Sequence, residues 1–357
     1  MFFQDIISSG ANIPNESFFS LILCFLILFP SVWKWKGFHE ETLGKEHTNI
    51  LRGIFAFCIM GGHISLYWNA HFEGSSITSF WMTIGTWCAA VFFFLSGYGL
   101  AVQNNTRANY LHGFLKNRFL KILFPAITIL LIYYLVLGHR VPVWEVLKDY
   151  PQKNPLNSNS WFIWAILYFY FLFWLSGRWI VSRPVSFSLL LLGTGFYVGL
   201  LDLVLHFSGW WFYTCVLFPI GVAWGNWRSS LEPVVKKLFW LFLPIAWIGF
   251  VTLYLRILPP VHLPEILVMW LTSICWVLGV LLIGMKFQAR GKFWQFLGKI
   301  SLELYLIHGL WLTVCDRPFL WSHPWLFPVS VCGLSIASAA ILHNVFNLRQ
   351  RVFANHQ

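Results

Sequence analysis

Acidic residues are scarce in this chain. Asp and Glu together number 13 among 357 residues, and all charged residues make up only 10%. A water-soluble protein carries about a quarter charged residues, so the deficit argues against one. Strict apolar–polar alternation is missing as well. Segments such as Ala126 to Leu137 and Trp270 to Ile283 are long apolar runs without that period, which argues against a membrane β-barrel. The seven cysteines stand singly in apolar runs, with no Cys-x-x-Cys and no Cys/His ligand spacing. They read as small core residues, and no metal centre is expected. No Lys or Arg precedes the first apolar run. The positive n-region of a cleavable signal peptide is therefore missing, and the first span is expected to be kept. Internal repeats and low-complexity segments are also lacking.

What the chain has in excess is apolar surface: 58% of residues are hydrophobic and 20% aromatic. One aqueous core cannot hide that much, so lipid is the expected solvent and helices the expected elements. The predicted fold is all-α, a polytopic transmembrane bundle of eleven spans. The spans fall near 18–35, 50–69, 78–101, 119–139, 160–181, 185–206, 211–227, 239–257, 264–286, 298–315 and 325–346. The connector from Gly138 to Ser160 holds three prolines and several Asn and Ser, which is turn chemistry.

The net charge is +11. Basic residues sit between apolar spans, which points to membrane topology rather than nucleic acid. With the N-terminus outside, 19 of the 24 Lys and Arg fall in alternate loops assigned to the inside. A wrong span count would scramble that alternation. The expected topology is N-terminus out and C-terminus cytoplasmic.

Ionisable residues inside a span are costly and point to function. In LRGIFAFCIMGGH, Arg52 opens the second span and His63 lies eleven residues deeper. That is about 16 Å along the helix and about 20° past the same bearing, so both share one face. Gly61 and Gly62 lighten the helix wall beside His63. His308, nine residues past Lys299, reaches about 13 Å by the same arithmetic. Each histidine either works as a base or proton shuttle or only bonds a neighbouring helix. Nothing in the spacing says that the two meet. Ser96, in FFFLSGYG, is expected near the depth of His63, facing a cavity or packing with Gly97 against a helix. Arg118 and Lys121 are i, i+3 neighbours at an inner helix end, placed to grip phosphate or simply to anchor the span. Glu303 enters its span close to the aqueous edge. On the outer side, Asp202 and His206 stand i, i+4, and Trp161 lies where an interfacial aromatic belt or a sugar-stacking face would be.

Five segments occur in order: LRGIFAFCIMGGH, FFFLSGYG, NRFLKILFP, SWFIWAILYFYFLF and LGKISLELYLIH. Together they resemble acyltransferase family 3, integral-membrane O-acyltransferases of polysaccharides and other hydroxyl compounds. The likeness covers about residues 47–350. It leaves residues 1–46 as a segment with an extra helix and 351–357 as a cytoplasmic tail. The resemblance implies a catalytic Arg52 and His63, an acyl-CoA phosphate site at Arg52, Arg118 and Lys121, and a role for His308. Ser96 and Glu303 are candidates for the cavity or its support; Trp161, Asp202 and His206 are candidates for the acceptor side. Three positions depart from the family pattern, one of them Glu303, which stands where a small residue is usual. Lys121 stands where a second arginine is usual, and Asn49 stands where an aspartate is usual, leaving Arg52 without that acidic partner.

The function implied is transfer of an acyl group, acetyl first among candidates, from cytoplasmic acyl-CoA to a hydroxyl of a cell-envelope or exported glycan. His63 would act as base or carry the acyl group itself. Acyl-CoA is a co-substrate in this reading, with no covalent cofactor. The expected setting is a bacterial inner or plasma membrane, with the bilayer as partner and no nucleic acid. The rival class is a glycan or small-solute transporter or flippase without acyl-transfer chemistry, where intramembrane His and Arg are equally at home.

Overall fold

The computed structural model describes residues 31–72, 76–137, 157–180, 182–255, 264–321 and 325–354. Residues 18–30 of the first expected span and residues 138–156 of the long connector lie outside the described residues.

Strand β1 (Ser31–Trp33) precedes helix α1 (Lys45–His71), α2 (Ser76–Thr106), α3 (Phe114–Leu137), α4 (Trp161–Arg178) and α5 (Arg183–Gly199). Next come α6 (Leu217–Lys237), α7 (Phe239–Tyr254), α8 (Glu265–Lys286) and strand β2 (Phe287–Ala289). The chain then forms α9 (Lys292–Lys299), α10 (Ser301–Cys315) and, after one turn at Pro318–Trp321, α11 (Leu326–Ala354). Among the described residues, seven helices are long and apolar enough to cross a membrane, and eight spans result if α6 and α7 count as one.

Their outward faces are apolar. Ile127, Leu131 and Leu135, four apart on α3, are 63%, 56% and 72% exposed. Such stripes suit lipid and are rare in water. Inside, α2 packs between α1 and α6, and α1 also rests on α9 and α10. The α2–α6 crossing depends on two facing glycines. A Cβ at Gly97 would overlap the Phe218 carbonyl oxygen, and one at Gly221 would overlap the Phe94 carbonyl oxygen. Small residues bring backbones this close in membrane bundles.

Four expectations about elements are corrected. The first span does not run as helix to residue 35, because Ser31–Trp33 pairs antiparallel with Phe287–Ala289. Val32, Trp33 and Phe287 favour strand, and the Lys34 N–H continues the tie to the Lys286 carbonyl at 2.9 Å. The expected sixth span is present as Arg183–Val204, but its last turn, Leu200–Val204, is π-helical, and the left-handed His206 (φ 51°) falls beyond it. The seventh starts at Leu217 rather than 211, kinks at Trp227 and meets α7 at 89°. The tenth breaks at Ile300 into α9 and α10, and the fifteen residues of α10 are fewer than the ~20 of a full crossing.

Candidate active site

Helices α1 and α10 run in the same direction: Gly53 lies against Leu297 and Gly298, just before α10, and His63 lies beside His308. The two imidazoles lie edge to edge and nearly coplanar, their planes 3° apart and centroids 4.9 Å apart. His63 Nδ1 and His308 Nε2 are 2.6 Å apart. The protons follow from the partners. A carbonyl oxygen only accepts, so His308 Nδ1–H donates to the Leu304 oxygen at 3.1 Å. In the neutral ring, His308 Nε2 is then an acceptor, and His63 Nδ1–H donates to it. His63 Nε2 is left with its lone pair. The geometry is that of a base held by an orienting partner, with a second histidine and a backbone carbonyl in the role often filled by a carboxylate.

The segment before α4 closes one side of the pair. The Asn159 N–H donates to Asn157 Oδ1 at 3.1 Å, and the Tyr305 hydroxyl donates to the Asn159 carbonyl at 2.5 Å. Asn159 Nδ2 lies 3.4 Å from His308 Nε2. Asn157 Nδ2 and the Tyr133 hydroxyl both donate to the Leu306 carbonyl, each at 3.2 Å. Tyr305 and Asn159 are the polar groups that motif reading missed. The signal was their place, three residues before His308 and two before Trp161.

One helical turn from His63, Ile59 marks the start of a cavity of about 220 Å³. Arg52, Ser96 and Arg118 supply its polar wall, and Phe92, Ile122, Phe162, Ile163 and Ile166 much of its apolar one. Tyr305 lines it too and so joins it to the histidine pair. Arg118 donates to Gln103 Oε1 at 3.1 Å and to the Tyr110 hydroxyl at 2.5 Å, and its guanidinium lies over the Tyr110 ring. Two cations in a mostly apolar pocket favour an anionic group carried on an apolar or amphipathic arm.

Several expectations about depth change. Ser96 is level with Arg52, not with His63. Gly62 abuts Trp81 and Gly85 on the antiparallel α2, and Ser96 lies eleven residues beyond Gly85, about 16 Å away along the helix. Gly61 and Gly62 seat the Trp81 ring and backbone rather than opening a wall beside His63. Lys121 is exposed and not part of the cavity lining, although Arg118 and Ile122 are. Glu303 is buried and accepts from His343 Nδ1 of α11 at 3.1 Å. It is not part of the cavity lining, which Ser301 and Leu302 join, and faces α11 instead. Asn49 donates to the Gln295 carbonyl at 2.8 Å and so ties α1 to α9. Asp202 and His206 do not form an imidazole–carboxylate pair: His206 Nδ1–H donates to the Asp202 backbone carbonyl at 3.1 Å, and both residues are exposed. Trp161 packs edge-on to Phe162 and tilted on Trp211, outside the cavity lining, while Phe162 lines it.

The model of the acyltransferase 3 family, described as an acyltransferase domain, matches residues 48–344. The chain belongs to acyltransferase family 3. No curated protein and no solved structure matches it. The family 3 match includes every residue of the histidine pair and of the cavity, from Arg52 to His308. This family 3 protein is a membrane acyltransferase with apolar, lipid-length helices.

Proposed function

We propose that the protein moves an acyl group, acetyl in the first instance, from cytoplasmic acyl-CoA to a hydroxyl of a cell-envelope or exported glycan. The observation that carries this reading is the His63–His308 bond, which leaves a lone pair on His63 Nε2 one turn from a cationic cavity. In this reading the CoA phosphates rest against Arg52 and Arg118, and the thioester arm lies along Ile59 and Phe162 toward His63. His63 Nε2 takes the proton of the acceptor hydroxyl as its oxygen attacks the thioester carbonyl. The C–S bond breaks, and the same proton passes from His63 Nε2 to the departing thiolate. During that interval the positive charge on His63 is shared through Nδ1–H with His308 and the Leu304 carbonyl.

The accompanying topology is eleven spans with the N-terminus outside and the C-terminus and Arg52 end cytoplasmic, in a bacterial inner or plasma membrane. A reporter fused after Gln357 is expected to read as cytoplasmic.

The test is purified protein in lipid nanodiscs given [14C]acetyl-CoA and an envelope glycan fraction. Label on the glycan, lost in His63→Ala, supports the reading. Glycan crossing sealed vesicles without gaining label would establish the transporter alternative instead.

A further inference from the structure

His308 Nε2 has one lone pair in the neutral ring, and two donors point at it. His63 Nδ1–H takes it at 2.6 Å, and the Asn159 amide stands behind at 3.4 Å. Asn159 is not loosely placed. Its backbone is held on both sides, by Asn157 Oδ1 and by the Tyr305 hydroxyl, and a Cβ on Gly309 would come within 3.0 Å of Nδ2. The polar face nearest His308 Nε2 thus contains donors only, while its Nδ1 faces a carbonyl. Among the described residues no carboxylate bonds either ring, since Glu303 pairs with His343 and Asp316 with His71. The titratable side chains packed around the pair are the phenols of Tyr305 on α10, Tyr133 on α3 and Tyr67 on α1.

We infer that Asn159 is a positioning residue whose amide keeps His308 Nε2 unprotonated, so that the shared proton stays on His63 Nδ1 and the lone pair stays on His63 Nε2. This inference rests on the acyl-transfer reading above. A second N–H aimed at Nε2 repels a proton there. After His63 has taken the acceptor's proton, the same repulsion opposes moving its Nδ1 proton to His308. The acquired proton then remains available on Nε2 for the departing thiolate. No net proton is gained or lost in the cycle.

The isosteric variant makes the test sharp. In Asn159→Asp a carboxylate accepts only, so it draws a proton onto His308 Nε2. His63 Nδ1 must then accept, and its own proton moves to Nε2, where the base should be. Asn159→Ala merely removes a donor. At neutral pH the expected order of thiol release from acetyl-CoA is wild type, then Ala, then Asp. The Asp variant should fall about tenfold or more below Ala, within the ~10²–10⁴-fold that a general base contributes. Activity of the Asp variant should recover as pH rises and His308 gives up its extra proton. A residue that only filled space would give the reverse order, with Asp above Ala and an unmoved pH profile, and that result overturns the inference.

A second readout needs no turnover. The full chain, 15N-labelled at histidine in lipid nanodiscs, should show both rings of the pair as the Nδ1–H tautomer. In Asn159→Asp, His308 should become doubly protonated. An Nε2–H tautomer on either ring of the wild type overturns the inference even if the protein folds and works. A wild type that shows the Nδ1–H pair yet transfers no acyl group would instead sink the acyl-transfer reading alone.

Discussion

Replacing Gly97 by alanine separates packing from helix propensity on a single helix. The added methyl at Gly97 would overlap the Phe218 carbonyl oxygen and stand 3.1 Å from the Val222 nitrogen, both backbone atoms of α6. Neither can swing aside as a side-chain tip can, so α2 and α6 must move apart. Overpacking of this kind costs about 1–3 kcal/mol. At Gly99, two residues on, the same methyl meets nothing within 4 Å. There alanine should gain about 0.5–1 kcal/mol from helix preference alone. The two variants should therefore differ by about 2 kcal/mol or more in unfolding free energy, read from SDS titration in one detergent. Gly221→Ala offends the same crossing from the other side. The double variant with Gly97→Ala should cost less than the two singles added, because one separation relieves both clashes. Ser96 sits beside Gly97 on the cavity wall, so acyl transfer should fall in Gly97→Ala and hold in Gly99→Ala. Equal unfolding of the Gly97 and Gly99 variants would refute the close crossing and the placement of Ser96 that depends on it.

The histidine pair predicts non-additivity of another kind. His63→Ala and His308→Ala should each lower transfer by ~10²–10⁴-fold, and the double variant should be no worse than the poorer single, since the two act as a unit. Losses that multiply would mean independent roles. Arg52→Ala should raise KM for acyl-CoA about tenfold or more, the worth of a bond to a charged group, while Lys121→Ala leaves it unchanged; equal effects would move phosphate binding out of the cavity. Glu303→Ala should cost about 1–3 kcal/mol in unfolding free energy by stripping the acceptor from His343. Glu303→Gln, which keeps an acceptor, should cost less, and equal losses would argue against the bond.

The membrane class, the helical content and the family were legible along the chain, because each depends on local composition or on motif order. Arg52 and His63 were legible too, since a straight helix carries residues eleven apart to nearly one bearing. Ser96 was misplaced because its depth depends on where the α1–α2 hairpin turns, and α2 runs far past the length of an average span. Glu303 was misplaced for a similar reason: a position one step along a helix swings about 100°, and only the packing of α11 reveals what it faces. Lys121 shows the same limit, since i, i+3 neighbours share a face only broadly and the cavity takes one and leaves the other.

Apolar excess and basic-loop spacing, both properties of the unfolded chain, are enough to choose lipid as solvent and helix as element. The meeting of His63 with His308, separated by 245 residues, is of a different kind. It depends on α1 and α10 packing side by side in one direction. So do the tautomers, because which nitrogen holds a proton is set by the Leu304 carbonyl and the Asn159 amide that the fold brings to the rings. A linear pattern carries the residue types that can hold or release a proton, and tertiary contact alone assigns each proton to its atom.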